Sequence, residues 1–356
     1  MKILYDYMIF QNQVYGGPSK YFIELIKALN NNKIENGTDT KIISPFYINK
    51  YLQSSSEIKK LGIYINKRNK FGVSNFLNKF IFNKYLSFSN CDLVHQTYFA
   101  DDIEKKKPII LTVYDLIHEK FKEDFNVNFP KAKSIQNADH IICISENTKK
   151  DLIDFYNVNK DKITVIHLAT NDKEIIKTKN ENYILYIGSR KRYKNFQVLL
   201  KAFSNKEINK NLYIKCFGGG KFLEEEIEFM KKINIPVDKI KQIDGDDELL
   251  FNEMRKAFAL VYPSMYEGFG LPLLEAMSLG CPVISSNSSS LPEVYGKAAL
   301  NFDPNNSDEL INKIFDLLNN DLLRNDLINK GYERIKKFSW EKCANETVKV
   351  YKKILK

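Results

Sequence analysis

The sequence predicts an α/β protein made of two doubly wound, Rossmann-like parallel-sheet lobes. Three observations carry that expectation. Short apolar runs alternate with helical patterns, a polar stretch interrupts the alternation near the middle, and the alternation then starts afresh. The 356 residues suit two domains on a prior of roughly 150 residues each.

Residues 2–9 read as a strand, followed by a loop with Gly16 and Gly17 and a helix over residues 18–29. Pro18 fits the first helical turn, where its missing N–H is no loss. Further strands are expected at residues 41–44, 93–95, 109–113, 141–144 and 163–167. Ser145 is placed to cap a helix running to Tyr156. The polar run from Ala169 to Glu174 marks a linker within residues 168–182. Beyond it come strands at 183–187, 212–216, 239–243, 260–262 and 282–285, with helices at 195–203 and 222–232. Residues 308–356 read as helix, broken near Phe338-Ser339-Trp340, and residues 285–290 are the one low-complexity patch. The expected domains are 1–172 and 173–339, with helix 340–356 packing back on the first.

Hydrophobic residues at 44% and charged residues at 28% exclude wholesale disorder. Five scattered cysteines without zinc spacing suit reduced, mostly buried thiols in the cytoplasm. Residues 1–10 read as a strand with no small-residue cleavage site, so no secretory leader is expected. No apolar run reaches the ~18 residues a transmembrane helix needs. The net charge of +10 is partly local: Lys59, Lys60, Lys67, Arg68, Lys70, Lys79 and Lys84 lie between Glu57 and Lys84 with one acid. Tyr64, Phe71, Phe76, Phe80 and Phe82 are interleaved with them. Such a stretch fits an anionic membrane surface or a nucleic-acid backbone, and it fits the solvated face of an ordinary helix equally.

Ligands of doubly wound sheets bind at the carboxyl ends of the strands. The Gly16-Gly17 loop sits there, and a helix start behind it favours an anion. A turn glycine without a ligand explains that pair as well. The richest stretch runs from Tyr262 to Pro282. A strand ends near Tyr262, Gly268-Phe269-Gly270 form a loop, Pro272 starts a helix, and Gly280 and Pro282 stop it. The N–H groups from Phe269 to Leu273 would meet a diphosphate at a positive helix end. Glu267 and Glu275 bracket the loop, able to accept hydrogen bonds from a sugar and a ribose. An acid that merely complements the helix dipole would account for Glu275, but not for a glycine loop between two acids.

The run Glu267-Gly268-Phe269-Gly270-Leu271-Pro272-Leu273-Leu274-Glu275-Ala276-Met277 resembles the signature of the family 4 retaining glycosyltransferases. Gly188-Ser189-Arg190-Lys191-Arg192-Tyr193-Lys194-Asn195 resembles their phosphate-binding segment. Thr112 to Glu119 and His140 to Glu146 resemble their first-lobe core. The resemblance covers nearly the whole chain and implies the GT-B fold, two lobes facing across a cleft, with the donor mainly on the second lobe. It implies that Glu275 binds the donor ribose and Glu267 faces the transferred sugar. Gly268, Phe269, Gly270 and Leu271 would give backbone contacts, and Gly16, Gly17 and Gly188 would line the donor. Lys194 matches the lysine that neutralises the diphosphate, with Arg190 as its partner and Arg192 as the competitor for that role. Many members carry a histidine where this chain has Tyr114. Asp115 and His118 are therefore the expected first-lobe site residues, while His95 is read equally as a ligand or as a core histidine.

The resemblance implies metal-independent, retaining transfer of a hexose from a GDP- or UDP-linked donor, without a cofactor. The acceptor would be a sugar or lipid-linked glycan, in bacterial lipopolysaccharide or capsule synthesis. The expected location is cytoplasmic, or peripheral on the inner face of the cytoplasmic membrane through residues 57–84. An epimerase or phosphorylase of the same fold, an inactive sugar-binding subunit and a basic nucleic-acid-binding protein are the alternatives. No helix-turn-helix, zinc or RNA-binding signature supports the last.

Overall fold

A computed structural model describes residues 1–31, 37–66, 72–100, 103–124, 131–170, 181–190 and 192–356. The chain forms two compact units, Met1–Leu168 with Ser339–Lys356, and Ala169–Phe338.

The first unit begins with β1 (Lys2–Tyr5), α1 (Met8–Asn12), α2 (Gly17–Asn30), β2 (Asp39–Tyr47), α3 (Lys50–Ser54) and β3 (Lys60–Tyr64). It continues with α4 (Val73–Phe88), β4 (Leu93–Gln96), β5 (Ile109–Val113), α5 (Ile117–Lys120) and α6 (Lys131–Asn137). β6 (His140–Cys143), α7 (Glu146–Tyr156) and β7 (Ile163–Val165) follow. Among the described residues its sheet is seven-stranded, in the order β3-β2-β1-β4-β5-β6-β7, and each pairing is parallel. Every residue of β5 and β6 is buried, as strands covered on both faces require.

The second unit runs β8 (Tyr183–Ile187), α8 (Phe196–Phe203), α9 (Lys206–Asn211), β9 (Tyr213–Phe217), α10 (Glu224–Lys232) and β10 (Ile240–Ile243). Then come α11 (Asp247–Lys256), β11 (Ala259–Tyr262), α12 (Leu271–Ser278), β12 (Val283–Ser286) and α13 (Leu291–Tyr295). β13 (Leu300–Phe302), α14 (Ser307–Leu318) and α15 (Asp321–Ile335) complete it. Its described strands form a six-stranded parallel sheet, in the order β10-β9-β8-β11-β12-β13. Thr170 N donates to Phe338 O at 3.2 Å, so the chain enters and leaves this unit side by side. Most of the expected linker, residues 171–180, lies outside the described residues.

Several local expectations are corrected. The first strand stops at Tyr5, because Asp6 turns the chain: its Oδ1 accepts from Met8 N at 3.2 Å and from Thr97 N at 3.0 Å. The apolar run Met8-Ile9-Phe10 therefore starts a helix. The helical tail is broken twice, since Asn320 Oδ1 accepts from Leu323 N at 2.9 Å and caps α15. β3 and β13 were not expected from their local patterns, and α4 falls in the basic, aromatic stretch for which an ordinary helix was one of the two readings.

The last helix, α16 (Trp340–Ile354), packs on α2 within the first unit. Its Tyr351 hydroxyl meets Tyr5 Oη at 2.8 Å and His95 Nδ1 at 2.6 Å, while His95 Nε2 lies 2.8 Å from Thr112 Oγ1. Both ring nitrogens of His95 are thus satisfied in the core, and burial pulls its pKa down to about 3. Of its two readings, the structure gives the core one. All five cysteines are buried and unpaired.

Candidate functional site

In both sheets the strand order reverses at one point, between β1 and β4 in the first and between β8 and β11 in the second. Loops leaving neighbouring strands diverge there and open a crevice at their carboxyl ends.

In the second unit the loop after β8 carries Gly188, Arg190 and Lys194, and the loop after β11 carries Glu267 to Gly270. The structure joins them. Met265 N donates to Tyr193 O at 2.8 Å, and Lys194 Nζ lies 2.6 Å from Glu267 Oε1 and 3.4 Å from Tyr262 Oη. The side chains of Lys194 and Glu267 are 16% and 13% exposed, so the pair is largely desolvated yet reachable. Burial alone would lower the Lys194 pKa. The Glu267 carboxylate and the Tyr262 hydroxyl outweigh it and hold the ammonium well above the usual lysine range. Burial in turn raises the Tyr262 phenol, with Glu267 adding to the effect.

The acid-bearing loop is fixed by residues the sequence reading passed over. Ser289 Oγ accepts from Glu267 N at 2.9 Å, and Ser290 Oγ lies 2.9 Å from both Glu267 O and Phe269 O. Ser289 adopts φ +51°, which is strained for a residue with a side chain. Gly270 caps α12 at φ +115°, where a Cβ would come within 2.8 Å of Leu291 Cδ2. The helix starts at Leu271, with Pro272 second rather than first. Phe269 is buried edge-on against Phe338, 5.8 Å between centroids, and Glu275 is half-buried on α12.

Arg190 is tied into the glycine loop after β9. Its Nε donates to Glu226 Oε1 at 2.7 Å, its Nη2 donates to Lys221 O at 2.8 Å, and its guanidinium lies 4.5 Å from the Phe222 ring centroid. Gly219, at φ +80°, makes this possible: a Cβ would sit 2.7 Å from Arg190 Nη1 and 2.9 Å from Gly188 O. Arg192 is exposed on the turn that carries Lys194, and Lys191 lies outside the described residues.

The first unit fills its reversal point differently. Asp6 is fully buried and accepts from both the backbone and the hydroxyl of Thr97. Tyr114 is buried too, its ring 5.9 Å from Tyr21 and 6.2 Å from Tyr98. Asp115 Oδ1 accepts from Ile117 N at 3.1 Å and starts α5. His118 stands on that helix rather than on the expected loop, its Nδ1 3.4 Å from Lys131 Nζ. Lys131 is buried and paired with Glu119 at 2.7 Å. Gly16 and Gly17 open α2, where Ser19 Oγ donates to Gly16 O and Ser19 N to Gln13 Oε1. Among the described residues, nothing apart from Gly17's chain neighbours and the adjoining backbone of α2 lies within 4 Å of where its Cβ would be.

Comparison with known proteins supplies the family context. The family model "Glycosyltransferase Family 4" matches residues 15–174, and "Glycosyl transferases group 1" matches residues 168–334. An uncharacterized glycosyltransferase of Methanocaldococcus jannaschii is 30% identical over 294 residues, 80% of this chain and 82% of that one. The O-antigen chain mannosyltransferase B of Escherichia coli is 32% identical over 239 residues. That match spans 62% of each chain, less than two thirds of the relative's own length. Among solved structures, a lipopolysaccharide outer core galactosyltransferase aligns at TM-score 0.70, 18% identity, over 99% of this chain and 100% of that one. Sucrose-phosphate synthase from Thermosynechococcus elongatus aligns at 0.76 and 19%, over 99% and 98%. These neighbours carry the GT-B fold.

Proposed function

The chain belongs to the family 4 glycosyltransferases, and from that premise we propose that it transfers a hexose from a nucleoside-diphosphate sugar with retention of configuration. The acceptor is a sugar or a lipid-linked glycan in surface polysaccharide synthesis, and the reaction takes place at the cytoplasmic side. Mannose is the first sugar to test, because the Escherichia coli relative is named an O-antigen chain mannosyltransferase. The donor is GDP- or UDP-linked.

The observation that carries this reading is the Lys194–Glu267 pair at the reversal point of the second sheet, beside the start of α12. As the bond from C1 to the diphosphate breaks, its electron pair goes to the leaving phosphate, and the Lys194 ammonium meets that charge. The helix start adds a positive dipole end. The raised pKa keeps Lys194 protonated through the working range. Glu267, fixed through its own backbone N and O, positions the transferred sugar, and Glu275 takes the ribose hydroxyls. Gly268, Phe269, Gly270 and Leu271 offer backbone contacts. Arg190 acts by shaping the glycine loop near Gly188. Gly16, Gly17, Asp115 and His118 are the residues of the first unit to test by substitution. The leaving phosphate oxygen accepts the proton of the attacking acceptor hydroxyl, so no side-chain nucleophile or metal ion is required.

A panel of nucleotide sugars, followed by nucleoside-diphosphate release with and without a chelator, tests this. One donor should turn over, unaffected by chelation, and Glu267→Gln should cut kcat/KM about 100-fold or more. NMR of the product anomer reads retention. Failure to bind or turn over any donor, with lipid-linked acceptors present, would contradict the proposal.

A further inference from the structure

We propose that the outward face of α4 is a docking surface for an anionic lipid bilayer. The helix is amphipathic in an inverted sense. Its buried face carries Ser74, Asn78 and Asn83 beside Phe82 and Leu86. The fold explains these polar residues: Asn78 is fully buried, accepts from Phe46 N at 2.7 Å, and donates to Phe46 O at 2.9 Å and to Gln11 Oε1 at 2.8 Å. It thereby satisfies backbone groups where the β2–β3 register shifts between Ile43 and Phe46.

The outer face has no such internal explanation. Phe76, Phe80 and Phe88 are 67%, 56% and 83% exposed, with Val73 at 49%. Phe76, Phe80, Lys84 and Phe88 recur every fourth residue and form one line along the helix. The Lys84 ammonium lies 6.0 Å from the Phe80 ring centroid. β3, the edge strand beside β2, exposes Ile63 as well.

Charge selects the occupant. No Asp or Glu occurs between Glu57 and Asp92, while seven lysines and arginines do. Of these, Lys59 is paired with Asp39 and Lys60 donates to backbone carbonyls. Lys79 and Lys84 make no ion pair among the described residues and remain for an external anion. Lys67, Arg68 and Lys70 lie outside the described residues. A second copy would bring the same positive face and repel. A bilayer of anionic lipid accepts both parts, the rings at the acyl boundary and the ammonium groups at the headgroups. No described helix is long and apolar enough to cross a membrane, so α4 would lie in the interface plane.

The test needs neither donor nor acceptor, and its outcome is therefore separate from that of the transfer reaction. The full chain is sedimented with vesicles of phosphatidylcholine, or of phosphatidylcholine mixed with phosphatidylglycerol. The native protein should partition onto the anionic vesicles, and the triple variant Phe76→Ser, Phe80→Ser, Phe88→Ser should lose about tenfold or more. Lys79→Gln with Lys84→Gln should lose about fivefold per lysine, on anionic vesicles alone. Phe155→Ser on α7, a 41% exposed phenylalanine outside the stripe, should bind as native, and circular dichroism checks that each variant folds. A native chain that stays in solution, or a triple variant that binds equally well, overturns the proposal. So does a stripe variant that changes self-association while vesicle binding stays the same.

Discussion

At the reversal point of the second sheet an ammonium faces a carboxylate, Lys194 against Glu267, and both remain partly reachable. At the matching point of the first sheet Asp6 is fully buried against Thr97, near Tyr114, whose ring packs against those of Tyr21 and Tyr98. One topology has therefore produced a partly reachable charged pair in one unit, and a closed junction of hydroxyls and rings in the other. Strand order says where a crevice opens. The side chains placed there decide what it can hold.

The contrast can be broken or sharpened by substitution. The largest effect is expected at the charged pair: Lys194→Met should lower kcat/KM by about 100-fold to 1000-fold, read as nucleoside-diphosphate release. Acid should come next, and through the first unit. His95 is held neutral in the fold, its pKa depressed to about 3 from 6.5. Its stabilising contribution is complete above the unfolded value, and is lost as pH falls below it, because only the unfolded chain gains the proton. The loss should reach about 1.4 kcal/mol per pH unit between about pH 6.5 and about pH 3. His140, lowered to about 4 by burial, adds in the same direction. Urea midpoints across that range check the slope, and His95→Gln should flatten it.

Smaller effects separate the units further. Tyr351→Phe removes the hydroxyl that bridges Tyr5 and His95. It should cost about 1–3 kcal/mol in denaturant unfolding while leaving diphosphate affinity unchanged. Ser290→Ala frees two carbonyls of the acid loop and should lower kcat about tenfold, near 1.4 kcal/mol, with little loss of stability. Equal effects of these two substitutions on kcat would erase the distinction between the units.

Much of this was legible in the sequence, for reasons that can be named. Parallel strands buried on both faces leave continuous apolar runs, and β5, β6, β8 and β11 stood out accordingly. Glu267 was visible because an acid beside a glycine loop and a helix start is chemically specific. Ser289 and Ser290 were not, because a serine run looks like filler until its tertiary partners are known; its position after β12, at a strand's carboxyl end, was the available signal. α4 was legible only as one of two readings of its stretch, because Ser74, Asn78 and Asn83 face inward beside Phe82 and Leu86 while Phe76, Phe80 and Phe88 face outward, against the usual helical pattern. The end of β1 at Tyr5 depended on Asp6 reaching Thr97, a contact far away in sequence.

The central claim, that the second unit's reversal point holds the donor diphosphate through Lys194, is tested most directly by calorimetric titration of GDP and UDP. The native chain, Lys194→Ala and Asp6→Asn would be compared. The account predicts that one nucleotide binds the native chain and Asp6→Asn alike, and binds Lys194→Ala about 100-fold more weakly. Equal affinity for native and Lys194→Ala, or a loss confined to Asp6→Asn, would contradict it.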